Sequence, residues 1–535
     1  MPTTSTHRHR PRAPRLLALT LLCVALAACG GPSASITLTL DASSAALLVG
    51  DDTVDVDLTV QRVATTADIV LTATGLPTGV TVTFTPDTLA GGATGSVLTL
   101  TSSASAPEGT HPITVRATGT GVAAETTLTL TVTSLTVSGV VVGLLDQPIA
   151  GVSVAVGTNG PIDITSADGS FDFADVTVPY DLHFFRAADG WAHSFLGLRT
   201  ASPTVRTASV AFELAGLPQT TVEGTLAAVV PASHRAVVCV QGLDEAVYGC
   251  DTVSAGDSNY VIDAVWRTSP IADVRVRAVM FGLDVDGNVT SVTGHVAVDA
   301  TLEDLVPETV DLTIGAAPAT TTLHPTFVVA AGLTLDSVGV AARLSEHATH
   351  DVPNVDGATT TPTLVAPSFV GASYLAHATA VGGDGSVSVA WHVGLPNGAA
   401  PTIELPAPPA MAAPADGTTG VTTATTFDVN PPTAGLQTFW FSGAMPGSPQ
   451  FLVTTSADQV RIPDLAAYGL ALPGGTSYVW TVLHTPGLTQ PDDAVTGAGY
   501  YGGFMQMTAA VGGFGGGAAE NGAITQTGER TFTTN

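Results

Sequence analysis

Residues 54–60 have the sequence Val-Asp-Val-Asp-Leu-Thr-Val, in which every second side chain is aliphatic and every side chain between is polar. Successive side chains of a β-strand point to opposite faces of a sheet, so this alternation predicts a strand with one buried face and one solvated face. The same alternation recurs along the chain, with turn residues between the runs. It predicts an all-β protein built as a multi-domain string of antiparallel β-sandwiches.

The chain has 535 residues, enough for roughly four or five domains of 100 to 150 residues each. Shifts in composition and pattern divide it into segments that we predict to be separate units. These are 1–28, a signal peptide; 29–34, a lipidated tether; 35–134, 135–208, 209–315 and 316–406, four β-sandwiches; 407–413, a Pro-rich linker; and 414–535, a further β-domain with a Gly-rich loop.

Four arginines and no acidic residue precede an apolar run, Leu16 to Ala28, near the N-terminus. This run is shorter than the about 20 residues that a membrane-spanning helix needs, and it is typical of a signal peptide. Residues 26–29, Leu-Ala-Ala-Cys, resemble the lipobox of bacterial lipoproteins. That resemblance implies cleavage before Cys29, a diacylglycerol on its sulfur and usually a further acyl chain such as palmitate on its amino group. It also implies export to the cell envelope, and Gly30 in place of aspartate favours the outer membrane or cell surface.

The formal net charge is −29, and all sixteen basic residues are arginine. Such a chain is repelled by nucleic acid, which we exclude as a partner. The absence of lysine excludes a Walker A loop, a Schiff-base lysine and a kinase lysine. No Gly-x-Ser-x-Gly, His-Glu-x-x-His or Cys-x-x-Cys motif occurs either. The sequence therefore predicts a protein that is not an enzyme and has no cofactor.

Outside the leader and Cys29, the chain has two cysteines, Cys239 and Cys250. In an exported protein such a pair favours a disulfide, which would contribute on the order of 3 kcal/mol. Two reduced, buried thiols are the alternative.

Three segments resemble known modules. Residues 75–86, Gly-Leu-Pro-Thr-Gly-Val-Thr-Val-Thr-Phe-Thr-Pro, and residues 106–115 resemble Ig-like repeats of bacterial surface proteins, with His111 where that family usually has tyrosine. Residues 147–154, Gln-Pro-Ile-Ala-Gly-Val-Ser-Val, and residues 165–173 resemble the carboxypeptidase regulatory-like domain, a transthyretin-like sandwich. Residues 414–421 and 477–482 resemble fibronectin type III domains, with Phe427 in place of the usual first-strand tryptophan. These resemblances imply spacer, adhesion or attachment modules without catalytic residues.

Several polar clusters invite a metal or ligand interpretation. Asp284 and Asp286 resemble the start of a calcium loop, but Val289 and His295 stand where an EF-hand needs glycine and glutamate, which favours a hairpin turn. Asp168 is likewise interpreted as part of a turn that needs a positive φ at Gly169.

The cluster that most resembles a metal site consists of two histidines and two aspartates in a segment that we interpret as a solvated loop. Three further histidines could complete it only if the fold brought them close. We predict no metal there, since the His-x-x-His spacing lacks the general base and spacing of a helical zinc pair. The residues concerned are His347, His350, Asp351 and Asp356, with His324, His377 and His392.

These observations predict a non-catalytic, lipid-anchored cell-envelope protein with a structural, adhesion or ligand-display role, held at the membrane by its N-terminal lipid and able to meet a surface protein or glycan. The alternative is an array of carbohydrate-binding modules. For that alternative Trp480 is a candidate stacking platform, although its strand position favours the core, and the glycine-rich stretch 497–517 offers aromatic residues at Tyr500, Tyr501, Phe504 and Phe514.

Overall fold

The computed structural model describes residues 33–143, 147–206, 217–245, 247–266, 269–345, 348–353, 355–356, 359–496 and 521–535. Nearly all regular structure in these residues is β-strand, and most strand pairs are antiparallel. The predicted all-β fold of antiparallel sandwiches is confirmed. We describe the strands in five groups, I to V, in chain order.

Group I (strands β1–β9) contains the run that predicted the fold. In β3 the aspartates are exposed while Val56, Leu58 and Val60 are buried, as the alternation predicted. The two sheets have the orders β1-β3-β7-β5 and β2-β9-β8-β4-β6 and enclose one aliphatic core. The strands are β1 Ser35–Leu40, β2 Ser44–Leu48, β3 Thr53–Val63, β4 Ile69–Thr74, β5 Val80–Thr85, β6 Thr88–Leu89, β7 Gly95–Ser102, β8 Gly109–Gly119 and β9 Val122–Thr133.

His111 lies near the start of β8. Its Nε2 lies 3.1 Å from the carbonyl oxygen of Pro107, four residues upstream. The imidazole therefore makes a short-range hydrogen bond to the segment that precedes β8.

Group II (β10–β16) has a small sheet, β13-β10-β16, that packs on a second sheet beginning β12-β11-β14-β15. Phe171 and Phe173, two positions apart in β13, lie on one buried face, with ring centroids 6.0 Å apart. A 3₁₀ turn, Ala187–Asp189, joins β14 to β15. The strands are β10 Leu135–Val142, β11 Ser153–Val156, β12 Ile162–Ile164, β13 Ser170–Val176, β14 Tyr180–Arg186, β15 Trp191–Leu198 and β16 Thr204–Arg206.

Group III (β17–β24) is a pair of four-stranded sheets, β19-β21-β17-β24 and β20-β18-β22-β23, around a core that includes Trp266 and Tyr260. Its long hairpin is β22–β23. The strands are β17 Gln219–Thr225, β18 His234–Gly242, β19 Val247–Tyr248, β20 Cys250–Val253, β21 Asn259–Trp266, β22 Ile271–Leu283, β23 Val289–Glu303 and β24 Glu308–Thr309.

Group IV (β25–β33) packs two short strand pairs against the sheet formed by β27, β28, β31 and β32. Its core is shared with group III, because Val237, Val279 and Phe281 of that group belong to the same buried cluster. The strands are β25 Thr320–Leu323, β26 Thr326–Val329, β27 Leu333–Ser345, β28 Ala348–Asp351, β29 Val355–Asp356, β30 Leu364–Pro367, β31 Ser373–Gly382, β32 Val387–Leu395 and β33 Thr402–Leu405.

Group V (β34–β42) contains the short helix α1 (Pro491–Thr496) and a 3₁₀ turn (Ala466–Tyr468). Its first strand, Ala410–Ala413, lies in the predicted linker and pairs with β36. The strands are β34 Ala410–Ala413, β35 Thr418–Val421, β36 Phe427–Asn430, β37 Gly435–Gly443, β38 Gln450–Thr455, β39 Gln459–Val460, β40 Ser477–Pro486, β41 Gly522–Gln526 and β42 Arg530–Thr534.

Trp480 is a core residue and not an exposed platform, since its side chain is fully buried. Its ring lies 5.1 Å from the ring of Phe427 and 6.4 Å from that of Phe439. Phe427 also contacts Phe441 and Phe532, so these rings form one aromatic cluster in the core of group V.

The groups do not follow one another in space as they do along the chain. Strand β15 of group II pairs in parallel with β38 of group V, and β32 of group IV pairs with β41. One sheet of fifteen strands therefore runs through groups II, V and IV. Group I joins group II through Asp51, whose amide donates to the carbonyl of Val178 at 2.8 Å.

Candidate functional site

The predicted lipidation site, Cys29, and the signal peptide 1–28 lie outside the described residues. The first strand, β1, begins at Ser35, six positions after Cys29. Within the described residues no helix is both long enough and apolar enough to cross a membrane.

Cys239 and Cys250 are joined by a disulfide between neighbouring antiparallel strands of group III. They are directly opposite each other in the β18–β20 register, with Cα atoms 4.0 Å apart. Cys239 is fully buried in the core shared with group IV, whereas Cys250 is exposed. The pair therefore ties an edge strand of this sheet to its neighbour.

The interpretation of the His347 region as a solvated loop is wrong for His350. His350 lies in β28, opposite Ala342 of β27, and it is fully buried. Neither ring nitrogen has a hydrogen-bond partner among the described residues, and burial lowers the pKa of His350 to about 3. His347 and the side chain of Asp356 lie outside the described residues. The local pattern did not indicate this strand because β28 is four residues long and carries only one aliphatic residue.

The other histidines of group IV are not gathered around His350. His377 is in β31, between Ala376 and Ala378, which face the shared core, so it points to the opposite face of the sheet. His324 contacts Thr363, and His392 contacts Asn521. No group of three potential metal ligands occurs in the residues that the structure describes.

The two aspartate motifs are turns. Asp284 Oδ1 accepts hydrogen bonds from the amides of Asp286 (3.0 Å) and Asn288 (2.9 Å), which closes the tip of the β22–β23 hairpin. Asp168 accepts from the Ser166 hydroxyl and from the Ser170 amide, and these bonds lower its pKa to about 2. Gly169 has a φ of 76°, as the turn required.

A surface pocket of about 420 Å³ lies in group V and was not foreseen from the sequence. Its lining combines hydroxyl groups and one carboxylate with a rigid loop that starts at two prolines. The lining residues are Pro431, Pro432, Thr433, Ala434, Gly435, Ser456, Asp458 and Thr489. The Pro-Pro pair marks a loop in the sequence, but Ser456 and Asp458 come from a second turn and Thr489 from a third, so no local pattern joins them.

The fully buried His484 lies behind the floor of this pocket. Its Nδ1 lies 2.9 Å from Gln437 Nε2, and its Nε2 lies 3.2 Å from Thr433 Oγ1. Burial lowers the pKa of His484, which keeps the ring neutral. The ring therefore holds the Thr433 hydroxyl in place at the edge of the pocket.

No protein-family model and no curated protein sequence matches the chain. Among solved structures, the TIE protein of Bacillus anthracis is similar at 10% identity and a TM-score of 0.21, over 70% of this chain and 75% of that one. An I-band fragment of titin is similar at 8% identity and a TM-score of 0.14, over 69% and 97%. The major pilin subunit BcpA of Bacillus cereus is similar at 10% identity and a TM-score of 0.12, over 51% and 99%. TM-scores this low do not by themselves establish a shared arrangement or a shared function.

Proposed function

We propose that this chain is a non-catalytic lipoprotein of the cell envelope that holds a body of β-sandwiches at a membrane surface in a structural, adhesion or ligand-display role. The domain boundaries predicted above are part of this proposal. The observation that carries it is the position of Cys29 in the Leu-Ala-Ala-Cys motif, close before the first strand of the folded body. Six extended residues span at most about 20 Å, so acyl chains on Cys29 would hold group I next to the bilayer.

The described residues support a binding or structural role in two ways. The buried histidines that a catalytic interpretation would use lie inside the sheets, and burial lowers the pKa of His193 to about 3 and that of His377 to about 4. The largest side chains of the sandwiches are used to fill cores. In this distribution His193 and His377 are kept away from solutes.

Replacement of Cys29 by serine tests the anchor. Without the thiol no thioether to diacylglycerol can form. We therefore expect Cys29→Ser protein to be absent from the membrane fraction that detergent extracts, or to retain its signal peptide. The matched control is Cys23→Ser, which changes a second leader cysteine that lies outside the motif. Mass spectrometry of the wild-type N-terminus should show a lipid-modified Cys29. A mature N-terminus elsewhere, or equal membrane retention of Cys29→Ser, would contradict the proposal.

The pocket in group V favours glycan binding as a second function. Hydroxyl and carboxylate groups around a rigid loop suit the dense hydroxyl groups of a neutral saccharide, which needs many paired donors and acceptors. The strongly negative chain disfavours anionic ligands. Thr433 is positioned for this role because its hydroxyl contacts the buried ring of His484 at 3.2 Å.

Replacement of Asp458 by asparagine tests the pocket. A hydrogen bond to a charged group contributes roughly 1.5–3 kcal/mol, so we expect Asp458→Asn to weaken binding of a saccharide found on a glycan array by about tenfold or more. Asp41→Asn, an exposed carboxylate of group I, is the matched control and should bind as the wild type does. If the wild-type protein binds no saccharide, or if Asp458→Asn and Asp41→Asn bind the saccharide equally tightly, the pocket is not a glycan site. Tyr500 and Tyr501 lie outside the described residues, and the pocket argument does not use them.

A further inference from the structure

The contact between groups III and IV carries an unusual polar cluster. The sheet β20-β18-β22-β23 buries one face in group III and packs its other face, through residues such as Phe281, on group IV. Arg277 of β22 and His295 of β23 lie on this outer side, and β28 of group IV brings His350 to it. We call these three residues the junction cluster.

Arg277 is held in the junction by neutral partners. Its Nε donates to Gln241 Oε1 at 3.0 Å, and its guanidinium carbon lies 4.5 Å above the ring centroid of Phe369. Gln241 in turn donates to the carbonyl oxygen of Thr349 at 2.8 Å, beside His350. The guanidinium therefore belongs to both groups, and burial lowers its pKa to about 10.

The contact of Arg277 with His295 requires a neutral imidazole. Arg277 Nη1 lies 2.7 Å from His295 Nε2, and a guanidinium can only donate, so Nε2 must be the unprotonated nitrogen. Protonation of His295 would place two N–H donors and two positive charges at this distance. Burial and the charge of Arg277 accordingly lower the pKa of His295.

His350 is, after His295, the second imidazole of the junction cluster that can bind a proton. Among the described residues neither of its buried ring nitrogens has a partner, and burial and the charge of Arg277 lower its pKa. Of the described carboxylates, Asp299 is the one whose charge reaches Arg277, and it is held by Arg275 at 2.6 Å. Among the other charged groups of the packed strands, Arg235 of β18 lies on the outer side of its sheet, opposite Phe281. Asp351 follows His350 on the opposite face of β28, and Arg343 lies on β27 across from Thr349.

We propose that the junction between groups III and IV is a pH-sensitive contact, which opens as protons bind His295 and His350. In an opened junction both imidazoles meet water and regain an ordinary pKa near 6.5. The open form then binds more protons than the closed form, so closure is favoured above pH 6.5 and is progressively lost below it. A protein at the cell surface meets such pH changes directly.

Hydrogen exchange of the full-length protein tests this inference. With rates corrected for the intrinsic effect of pH, we expect the amides of β28, at the edge of its sheet, to exchange about tenfold faster at about pH 5 than at about pH 7.5, which corresponds to one pKa unit of linkage. Amides of β31, in the middle of the group IV sheet, should keep their protection. Unchanged exchange in β28, or a uniform loss throughout group IV, would overturn the inference.

Substitutions separate the junction from general acid unfolding. His295→Gln keeps an acceptor for Arg277 without a titratable ring, and His350→Phe replaces the unpartnered ring with an apolar one. The double variant should lose the pH response. His377→Phe is the matched control, because it removes an equally buried histidine from the opposite face of the same sheet and should retain the response. If His350→Phe does not fold, the partly exposed His295→Gln alone should still reduce the response, and a full response in that variant would overturn the inference.

Discussion

Replacement of Trp480 by alanine is expected to destabilise group V by about 3–5 kcal/mol, the range for removing a large aromatic side chain from a packed core. The indole is fully buried against Phe427 and Phe439. Its strand, β40, lies in the middle of the sheet between β37 and β41. A cavity at this position removes contacts from both layers of the sandwich, and the surrounding rings can close it only in part.

Chemical denaturation followed by hydrogen exchange in β37 and β40 measures this effect, because a protein of several groups does not unfold in one step. Trp480→Phe is the control: it keeps an aromatic ring in the same space and should lose less than half as much stability. An unchanged denaturation midpoint for Trp480→Ala would show that the ring is not part of the core of group V.

Replacement of Gly50 by alanine is expected to release group I from group II while both remain folded. A Cβ atom at this position would lie 1.7 Å from the carbonyl oxygen of Val178, and φ is 133°, a region that residues with a Cβ rarely adopt. The obstacle is backbone of the other group, which cannot move aside as a flexible side chain can. The hydrogen bonds that flank it, from Asp51 N to Val178 O and from Val178 N to Val49 O, should be lost.

The exchange rates of the Asp51 and Val178 amides report this release and should rise by about tenfold or more in Gly50→Ala. The matched control is Gly121→Ala in the β8–β9 turn, which has a positive φ of 76° but no atom within 4 Å of the added Cβ. That control carries the backbone cost of roughly 1 kcal/mol without the clash, so the amides of Asp51 and Val178 should stay protected. Equal protection of these amides in both variants would show that the contact between groups I and II does not depend on the close approach at Gly50.

The sequence was most informative where burial follows from neighbours along the chain. The alternation at 54–60 predicted which side chains of β3 are buried, and the Asp-Gly pairs at 168–169 and 286–287 predicted turns. In both cases the cause is local, because strand geometry sends alternate side chains to opposite faces and glycine permits a positive φ. Cys239 and Cys250, which the sequence predicted to form a disulfide, lie on the adjacent strands β18 and β20.

The candidate sites depended on contacts that no local pattern contains. His193 of β15 reaches Thr454 of β38 at 2.9 Å, across 261 positions of sequence. The pocket joins three separate turns of group V, and the junction cluster joins strands of two groups.

By itself, then, the sequence determined an all-β chain of sandwiches and the buried face of its clearest strands. Only the tertiary structure decided which sheet edges meet, since an edge offers the same backbone donors and acceptors whatever its sequence, and the partner is chosen by packing between distant strands. That choice placed group V between groups II and IV and turned His350 from an apparent loop residue into part of an interface.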